Sequence, residues 1–434
     1  MSHQKHSSIV ILGAGLTGLS AARHLRDQDF VLYEKLGHVG GHAITLEERG
    51  YRFDRTGHLL HLRDPEIIAW IETLFAPGHL LKIERRSMVY SQGVYTRYPY
   101  QANTFGLPPK IAFECLKGYL EARARTWESA PKNFEEFCLQ HFGEGFSKHF
   151  MIPYNARLWG VHPREITAEW CQRFVPMPKL DDVLAGAVGL NDRELGYNAN
   201  FLYPPTGIQE LPDAIAPHIA GIELNRAPSK IDWKQRRLLF ADGTEHHYNA
   251  LITTAPLKAL CAMLLDAPTE VADAAAKLRC NRLWYLDVAT TKPERQNLHW
   301  SYVPEEKYPF YRIGCYSNFS ARLAPAGGAC FYVELADRDE PDMAKVGPEV
   351  ARAMVEMRLI DSESDVLFMS PRKIEYAYVV FDHSYFSALE TVKSFLQANA
   401  IISQGRYGAW NYSSMEDALI YGRQAAQAAR ELCK

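Results

Sequence analysis

The feature that most constrains this chain is Gly13-Ala-Gly-Leu-Thr-Gly18. It follows the apolar run Ser8-Ile-Val-Ile-Leu12 and precedes a helical pattern through Leu19, Ala22 and Leu25. A strand, a glycine turn and a helix in that order open a dinucleotide-binding α/β fold. The first glycine permits the tight turn, the second lets backbone approach a pyrophosphate, and the third lets the helix pack on the strand. Free N–H groups and the dipole at the helix start then hold phosphate charge. A second run, Phe30-Val-Leu-Tyr33, ends in Glu34. A carboxylate there accepts from both ribose hydroxyls and disfavours a 2′-phosphate, which points to FAD or NAD rather than NADP.

The residues beyond this acid select FAD. Glu34-Lys35 leads to the adjacent pair Gly40-Gly41, which lets a second stretch of backbone come close to an extended cofactor. Far along the chain, Gly405-Arg406-Tyr407-Gly408 precedes a helix opened by Ser413-Ser-Met-Glu416 and carried to Leu432. This segment fits the large FAD family that the glycine pattern resembles, and the resemblance implies that the start of the helix stabilises negative charge on a reduced flavin. The expected cofactor residues are therefore Gly13, Gly15, Gly18, Glu34, Lys35, Gly40, Gly41 and Arg406.

The rest of the sequence places this unit in a larger chain. At 434 residues, two or three domains are expected. Lys and Arg number 48 against 51 Asp and Glu, a net charge of −3. That balance argues against a nucleic-acid partner or an anionic membrane surface. No segment approaches the length of apolar chain needed to span a bilayer. The eight cysteines (115, 138, 171, 261, 280, 315, 330 and 433) are scattered without a CxxC pair. Scattered thiols suit a reducing, cytoplasmic compartment and give no metal site.

Lys110 to Arg125 reads as a helix with Phe113, Leu116 and Leu120 on one face. Asn133-Phe-Glu-Glu136 reads as a capped start whose apolar stripe ends near Gly143, and 146–151 and 181–189 carry further helical signals. Leu238–Phe240 and Ala250–Thr254 read as a hairpin about Asp242-Gly243, and 282–335 as an antiparallel sheet. The expected architecture is α/β: a Rossmann-like FAD-binding domain from 1–66, 206–262 and 400–434, an inserted mainly helical domain at 104–198, and an antiparallel β-sheet domain from 83–103 and 280–392.

The glycine pattern resembles the large FAD family of amine oxidases and protoporphyrinogen oxidase. Three further stretches, Tyr98-Pro-Tyr-Gln-Ala-Asn103, Tyr154-Asn-Ala-Arg-Leu-Trp-Gly160 with Arg173 downstream, and Trp300 through Arg312 followed by Ser317-Asn318, resemble UDP-galactopyranose mutase, closest to its eukaryotic-type branch. The likeness extends to FDRTGHLLH, GYNANF, Phe381-Asp-His-Ser-Tyr385 and GRYGAWNY, all in the family's order over nearly the whole chain. The stretch Tyr203-Pro-Pro-Thr-Gly-Ile208 departs from it, with one glycine where the family is glycine-rich.

The resemblance implies a redox-neutral enzyme, active only with reduced FAD, that interconverts UDP-galactopyranose and UDP-galactofuranose. The electron-rich flavin attacks the anomeric carbon and UDP leaves and returns. It implies that Arg173 and Arg312 clamp the diphosphate and that Gly57 and His58 lie beside the reactive edge of the flavin. Tyr98, Tyr100 and Gln101 take the uracil, Asn155, Trp159 and Asn198 position sugar and nucleotide, and Tyr302, Tyr385 and Tyr412 hydrogen-bond the diphosphate. NAD(P)H as an external reductant and a homo-oligomer are both admitted. Two alternatives stay open: a mutase for another UDP-sugar, and an FAD-dependent oxidoreductase of the amine or protoporphyrinogen type.

Overall fold

Five parallel strands carry the glycine turn. The structure, a computed structural model, describes residues 4–169, 175–190 and 199–434. Ile222–Glu223, Phe30–Tyr33, Gln4–Leu12 and Glu245–Thr253 lie side by side, with Ile9 opposite both Phe30 and Ala250. Ile401–Ser403 pairs with Leu251–Thr253, while the antiparallel hairpin Lys230–Asp232 and Arg237–Leu239 uses the other end of the same strand. Ile9, Val10 and Ile11 are wholly buried, as strands covered on both faces require. One face is covered by the helices Leu16–His24 and Met415–Leu432, and the Ser20 hydroxyl donates to the Leu419 carbonyl at 2.6 Å.

A second seven-stranded sheet runs Val366–Ile374, Leu283–Thr290, Ala329–Leu335, Phe310–Cys315, Trp300–Tyr302, Ser87–Ser91, Val94–Arg97. It is antiparallel except where Trp300–Tyr302 meets Ser87–Val89. Cross-strand register places Tyr302, Arg312 and Glu334 in one row and Gly314, Tyr332 and Asp287 in the next. Side chains alternate faces along a strand, so both rows face the same way.

The third block is helical: Pro109–Ala124, Phe134–Phe146, a wider turn at Ser147–Met151, Ile152–Trp159 and Leu180–Ala187. Asn133 caps its helix as expected, accepting from the Glu136 N–H at 2.9 Å. The helical geometry breaks at Gly143 as expected, at φ +77° and ψ 178°, and a short helical stretch follows to Phe146. One expectation fails here. The buried face of Pro109–Ala124 is Cys115, Gly118, Tyr119 and Ala122, while Phe113 and Leu120 are exposed. The reason is a glycine contact between helices. A Cβ on Gly145 would lie 2.2 Å from the Glu114 carbonyl oxygen, and one on Gly118 would lie 2.8 Å from the Gly145 nitrogen. Backbone packs on backbone, so the small face turns inward rather than the large one. The last helix also differs in detail. Its cap pairs Ser414 with Asp417, leaving the Glu416 carboxylate to accept from the Asp64 N–H at 2.7 Å.

Among the described residues, no helix is long and apolar enough to cross a membrane. Among the histidines held neutral chiefly by burial, His42 and His299 are pushed down to about 3, and His58, His61 and His246 to about 4. His299 shows how, accepting from the Arg86 N–H at Nδ1 (3.0 Å) while its Nε2 lies 3.2 Å from the Asn318 carbonyl.

This packing has two measurable outcomes. Gly145→Ala should cost about 1–3 kcal/mol in denaturant unfolding, because the methyl meets backbone that cannot rotate away. An unchanged midpoint would mean that the two helices can separate freely. For pH, each depressed histidine makes unfolding take up a proton between its folded value and about 6.5, so its stabilisation is full above that and lost as pH falls below it. Asp54 and Asp287, raised by burial to about 6 and about 7, act oppositely, losing stabilisation as pH rises through those values. These five histidines outnumber the two, so the urea midpoint should fall between pH 7 and pH 5. A midpoint that rises over that range would show these rings charged in the folded state.

Candidate active site

The cofactor cradle is made of bare backbone. Gly13 sits at φ +100°, and a Cβ there would overlap the Thr254 hydroxyl at 2.2 Å. Gly41, at φ +63°, approaches the Gly15 Cα so closely that its own Cβ would lie 3.1 Å away. The Gly40 N–H donates to the Ala14 carbonyl at 2.8 Å, tying the two glycine stretches together. Glu34 is 6% exposed and fixes both sides of the turn, accepting from the N–H of Ala14 at 2.7 Å and of Leu36 at 2.9 Å. Helix Leu16–His24 starts at Gly15 with no side-chain cap, so its first N–H groups are left for a ligand. Uncapped donors beside a Cβ-free track fit the pyrophosphate of FAD. Lys35 is exposed next to Glu34.

The loop before the last helix closes the cradle. Gly405 (φ +90°) abuts Thr17 of the first helix. Arg406 donates to the carbonyls of Ser413 (2.7 Å) and Ala377 (3.2 Å), and its guanidinium stands 4.7 Å from the centre of the Tyr412 ring. Gly207 serves the stretch that departs from the family's glycine-rich pattern: a Cβ there would strike Thr45 at 2.3 Å. One glycine at the point of contact is enough.

Gly57 and His58 lie on a loop leaving the hairpin strand Tyr51–Asp54. Thr56 takes φ +62°, a strained position for a β-branched residue. The Tyr316 hydroxyl pins the loop, donating to the Asp54 carbonyl at 2.6 Å. Gly57 is exposed, and the Tyr332 hydroxyl lies 3.0 Å from where its Cβ would be. Burial, reinforced by Arg406, keeps the His58 ring neutral, as burial and Arg55 do for His42.

Facing this loop is the polar row of the second sheet. Arg312 pairs with the Glu334 carboxylate and donates to the Tyr378 hydroxyl at 3.1 Å. Burial pulls the guanidinium down, but Glu334 and the surrounding phenols more than offset this and hold it above the ordinary arginine value. Ring contacts link Tyr98 to Tyr302 (4.9 Å), Tyr302 to Tyr154 (5.3 Å), Trp159 to Tyr378 (5.7 Å) and Tyr378 to Tyr412 (6.0 Å, stacked). Burial raises the phenols of Tyr98, Tyr302 and Tyr378, so they remain donors.

The expected residues are thus placed unevenly. Tyr98, Trp159, Tyr302, Arg312 and Tyr412 stand together in these ring and hydrogen-bond contacts, with Arg406 beside them. Gln101 is buried, donating to the Pro176 carbonyl at 2.8 Å with its Oε1 unpartnered among the described residues. Asn155 spends its amide on the Met151 carbonyl at 2.7 Å. Tyr100 is wholly buried, stacked on Phe150 in the helical block. The Tyr385 hydroxyl donates to the Trp410 carbonyl at 2.5 Å, so that donor is spent on the chain itself. Arg173 and Asn198 lie outside the described residues. The sequence reading missed Tyr378, Tyr332, Glu334, Arg55 and His42. Glu334 had a signal: a lone carboxylate inside the apolar strand Ala-Cys-Phe-Tyr-Val-Glu-Leu needs a buried partner. Among the described residues, no group of three His, Cys, Asp or Glu is placed to hold a metal.

The sequence pattern of the flavin containing amine oxidoreductase family matches residues 16–430. The crystal structure of a reduced UDP-galactopyranose mutase superposes with a TM-score of 0.92 at 26% identity, covering 98% of this chain and 94% of that one. A probable UDP-galactopyranose mutase of Klebsiella pneumoniae is 23% identical over 421 residues, 91% of this chain and 96% of that protein. A dTDP-fucopyranose mutase of Escherichia coli is 24% identical over 184 residues, 41% of this chain and about half (48%) of that protein. With the glycine cradle and a family pattern spanning almost its whole length, the chain belongs to the flavin containing amine oxidoreductase family and is an enzyme with FAD as its cofactor.

Proposed function

We propose that this enzyme is a redox-neutral nucleotide-sugar mutase that interconverts UDP-galactopyranose and UDP-galactofuranose. The observation that carries the reading is Arg312, partly buried among Tyr302, Tyr378 and Tyr332 on the sheet face that meets the Gly57–His58 loop. An amine or a porphyrinogen has no use for a guanidinium there; a diphosphate leaving group does. The whole-chain likeness to a reduced UDP-galactopyranose mutase supports it.

When bound in its reduced form, FAD supplies an electron-rich nucleophile for the anomeric carbon. The chain's own residues do the rest. Arg312, and Arg173 with it, neutralise the diphosphate as it departs, and the phenols of Tyr302, Tyr378 and Tyr412 donate without adding charge. The Gly57 carbonyl would accept a hydrogen bond from a protonated nitrogen of the bound cofactor. Tyr98, backed by Tyr302 and by Arg85 at 5.6 Å, offers a stacking face for the base, and Gln101 Oε1 a free acceptor for its edge. Packed rings shield the departing pair from water.

The first test is product analysis with UDP-galactofuranose and a panel of other UDP- and dTDP-sugars. Turnover of UDP-galactofuranose only after dithionite reduction is expected. Peroxide formation with an amine, and no turnover of any nucleotide sugar, would sink the mutase reading. The clamp needs a designed variant, because Arg312→Ala alone strands Glu334 as an unpaired buried carboxylate. That change should cost about 3–5 kcal/mol. The double variant Arg312→Ala/Glu334→Gln should recover most of the stability, keep FAD, and lose turnover by roughly 10²–10³-fold. Full turnover in the double variant would remove Arg312 from the mechanism.

A further inference from the structure

Arg312 does not enter the cleft as a free cation. Its Nη2 donates both to the Glu334 carboxylate and to the Tyr378 hydroxyl. Glu334 is completely buried, and its second oxygen, Oε2, has no hydrogen-bond partner among the described residues. Arg312 Nε and the Tyr311 hydroxyl are likewise buried without partners among those residues. The register explains the crowding: Arg312 pairs with Glu334 and Phe310 with Leu335, so Tyr311 is the extra residue of a bulge. Bulges of this kind re-aim side chains next to active sites.

For folding alone this arrangement is poor. A buried ion pair rarely stabilises a sheet more than apolar residues of the same volume, and a half-satisfied carboxylate less still. Its value must lie in what it does to Arg312. We propose that Glu334 is a positioning residue that aims the Arg312 fork at the diphosphate and compensates its charge, so that the leaving group is held without being trapped. The proposal rests on the mutase reading, in which the same diphosphate must leave the anomeric carbon and return to it. Binding that is equally tight before and during the reaction does not speed the chemical step. With Nη2 committed to Glu334 and Tyr378, the incoming phosphate oxygens share a guanidinium whose charge is already balanced. The sharing weakens ground-state binding and leaves the fork's direction fixed.

The test is calorimetry on the FAD-loaded protein with UDP and, separately, inorganic pyrophosphate. Glu334→Gln keeps the shape and removes the charge, so both ligands should bind about tenfold more tightly. Turnover should fall while KM also falls. A residue with a merely structural role would not raise affinity when replaced. Glu334→Asp keeps the charge on a shorter arm, and should lose turnover without gaining affinity. Glu334→Gln is purified with pyrophosphate present, since a bound anion restores the missing counter-charge and with it the fold.

Unchanged or weaker pyrophosphate binding in a Glu334→Gln protein with normal FAD content would overturn the proposal. So would failure of that variant to fold even with pyrophosphate. If the wild type binds pyrophosphate but not UDP, the nucleotide-sugar reading fails, while the comparison of the two proteins still decides the role of Glu334.

Discussion

Two stretches of backbone must touch without side chains between them, and most of this molecule is arranged so that they can. Gly15 and Gly41 meet at a distance that a methyl group would close, and Glu34 holds the turn by accepting from the N–H groups on either side of it. The same short helix start then receives Gly405 from the last loop and Gly422 from the last helix, whose Cβ would lie 2.4 Å from the Thr17 carbonyl. Segments hundreds of residues apart close on one turn of backbone. A cofactor with a long pyrophosphate needs such a surface, because any side chain there would occupy its path.

The opposite wall works by charge rather than by its absence. Arg312 with Glu334, and Arg372 with Asp287 and Glu48, are acid–base pairs on one face of the antiparallel sheet. Arg372 donates to Asp287 at 2.8 Å and to Glu48 at 2.7 Å. Glu48 belongs to the hairpin that leads into the Gly57–His58 loop, so this second pair binds that hairpin to the sheet. Burial raises the Asp287 carboxyl, and with Arg372 limiting the rise it stands at about 7. Polar side chains therefore cross the joint between the sheet and the hairpin that leads into the loop. The rings of Tyr98, Tyr154, Tyr302, Tyr378 and Tyr412 pack against one another beside it.

How much of this could be read from the sequence depended on the range of the forces involved. The cradle was legible because its requirements are local: a strand, three glycines and an acid at fixed spacing are all set by neighbouring backbone. The strands Phe30–Tyr33 and Ala329–Leu335 were legible for the same reason. The helix Pro109–Ala124 was misread on its buried face, since Phe113 and Leu120 look like core until Gly118 and Gly145 let two backbones meet from distant positions. Tyr378 and Glu334 were missed because their meaning lies in Arg312, which reaches them only across strands. Tyr385 was chosen for its place in a motif; its hydroxyl turned out to serve the Trp410 carbonyl. Local chemistry is enough to lay out the glycine turn, while partners chosen by the tertiary fold decide the surroundings of Arg312.

The order of the strands in the parallel sheet has a further consequence. Gln4–Leu12 and Ile401–Ser403 flank the same central strand, Glu245–Thr253, so the sheet receives Ile401–Ser403 only long after its other parallel strands have been made. During synthesis the first strand, the glycine turn and Glu34 leave the ribosome long before Gly405 and Arg406. A growing chain therefore carries an open half-cradle, with an apolar sheet edge facing water, until Ile401–Ser403 has been made. Parallel strands far apart in sequence are slow to find one another. Assembly of the cradle thus waits for the segment that carries Gly405 and Arg406, and a chain stopped before it would lack that part of the cofactor's surroundings.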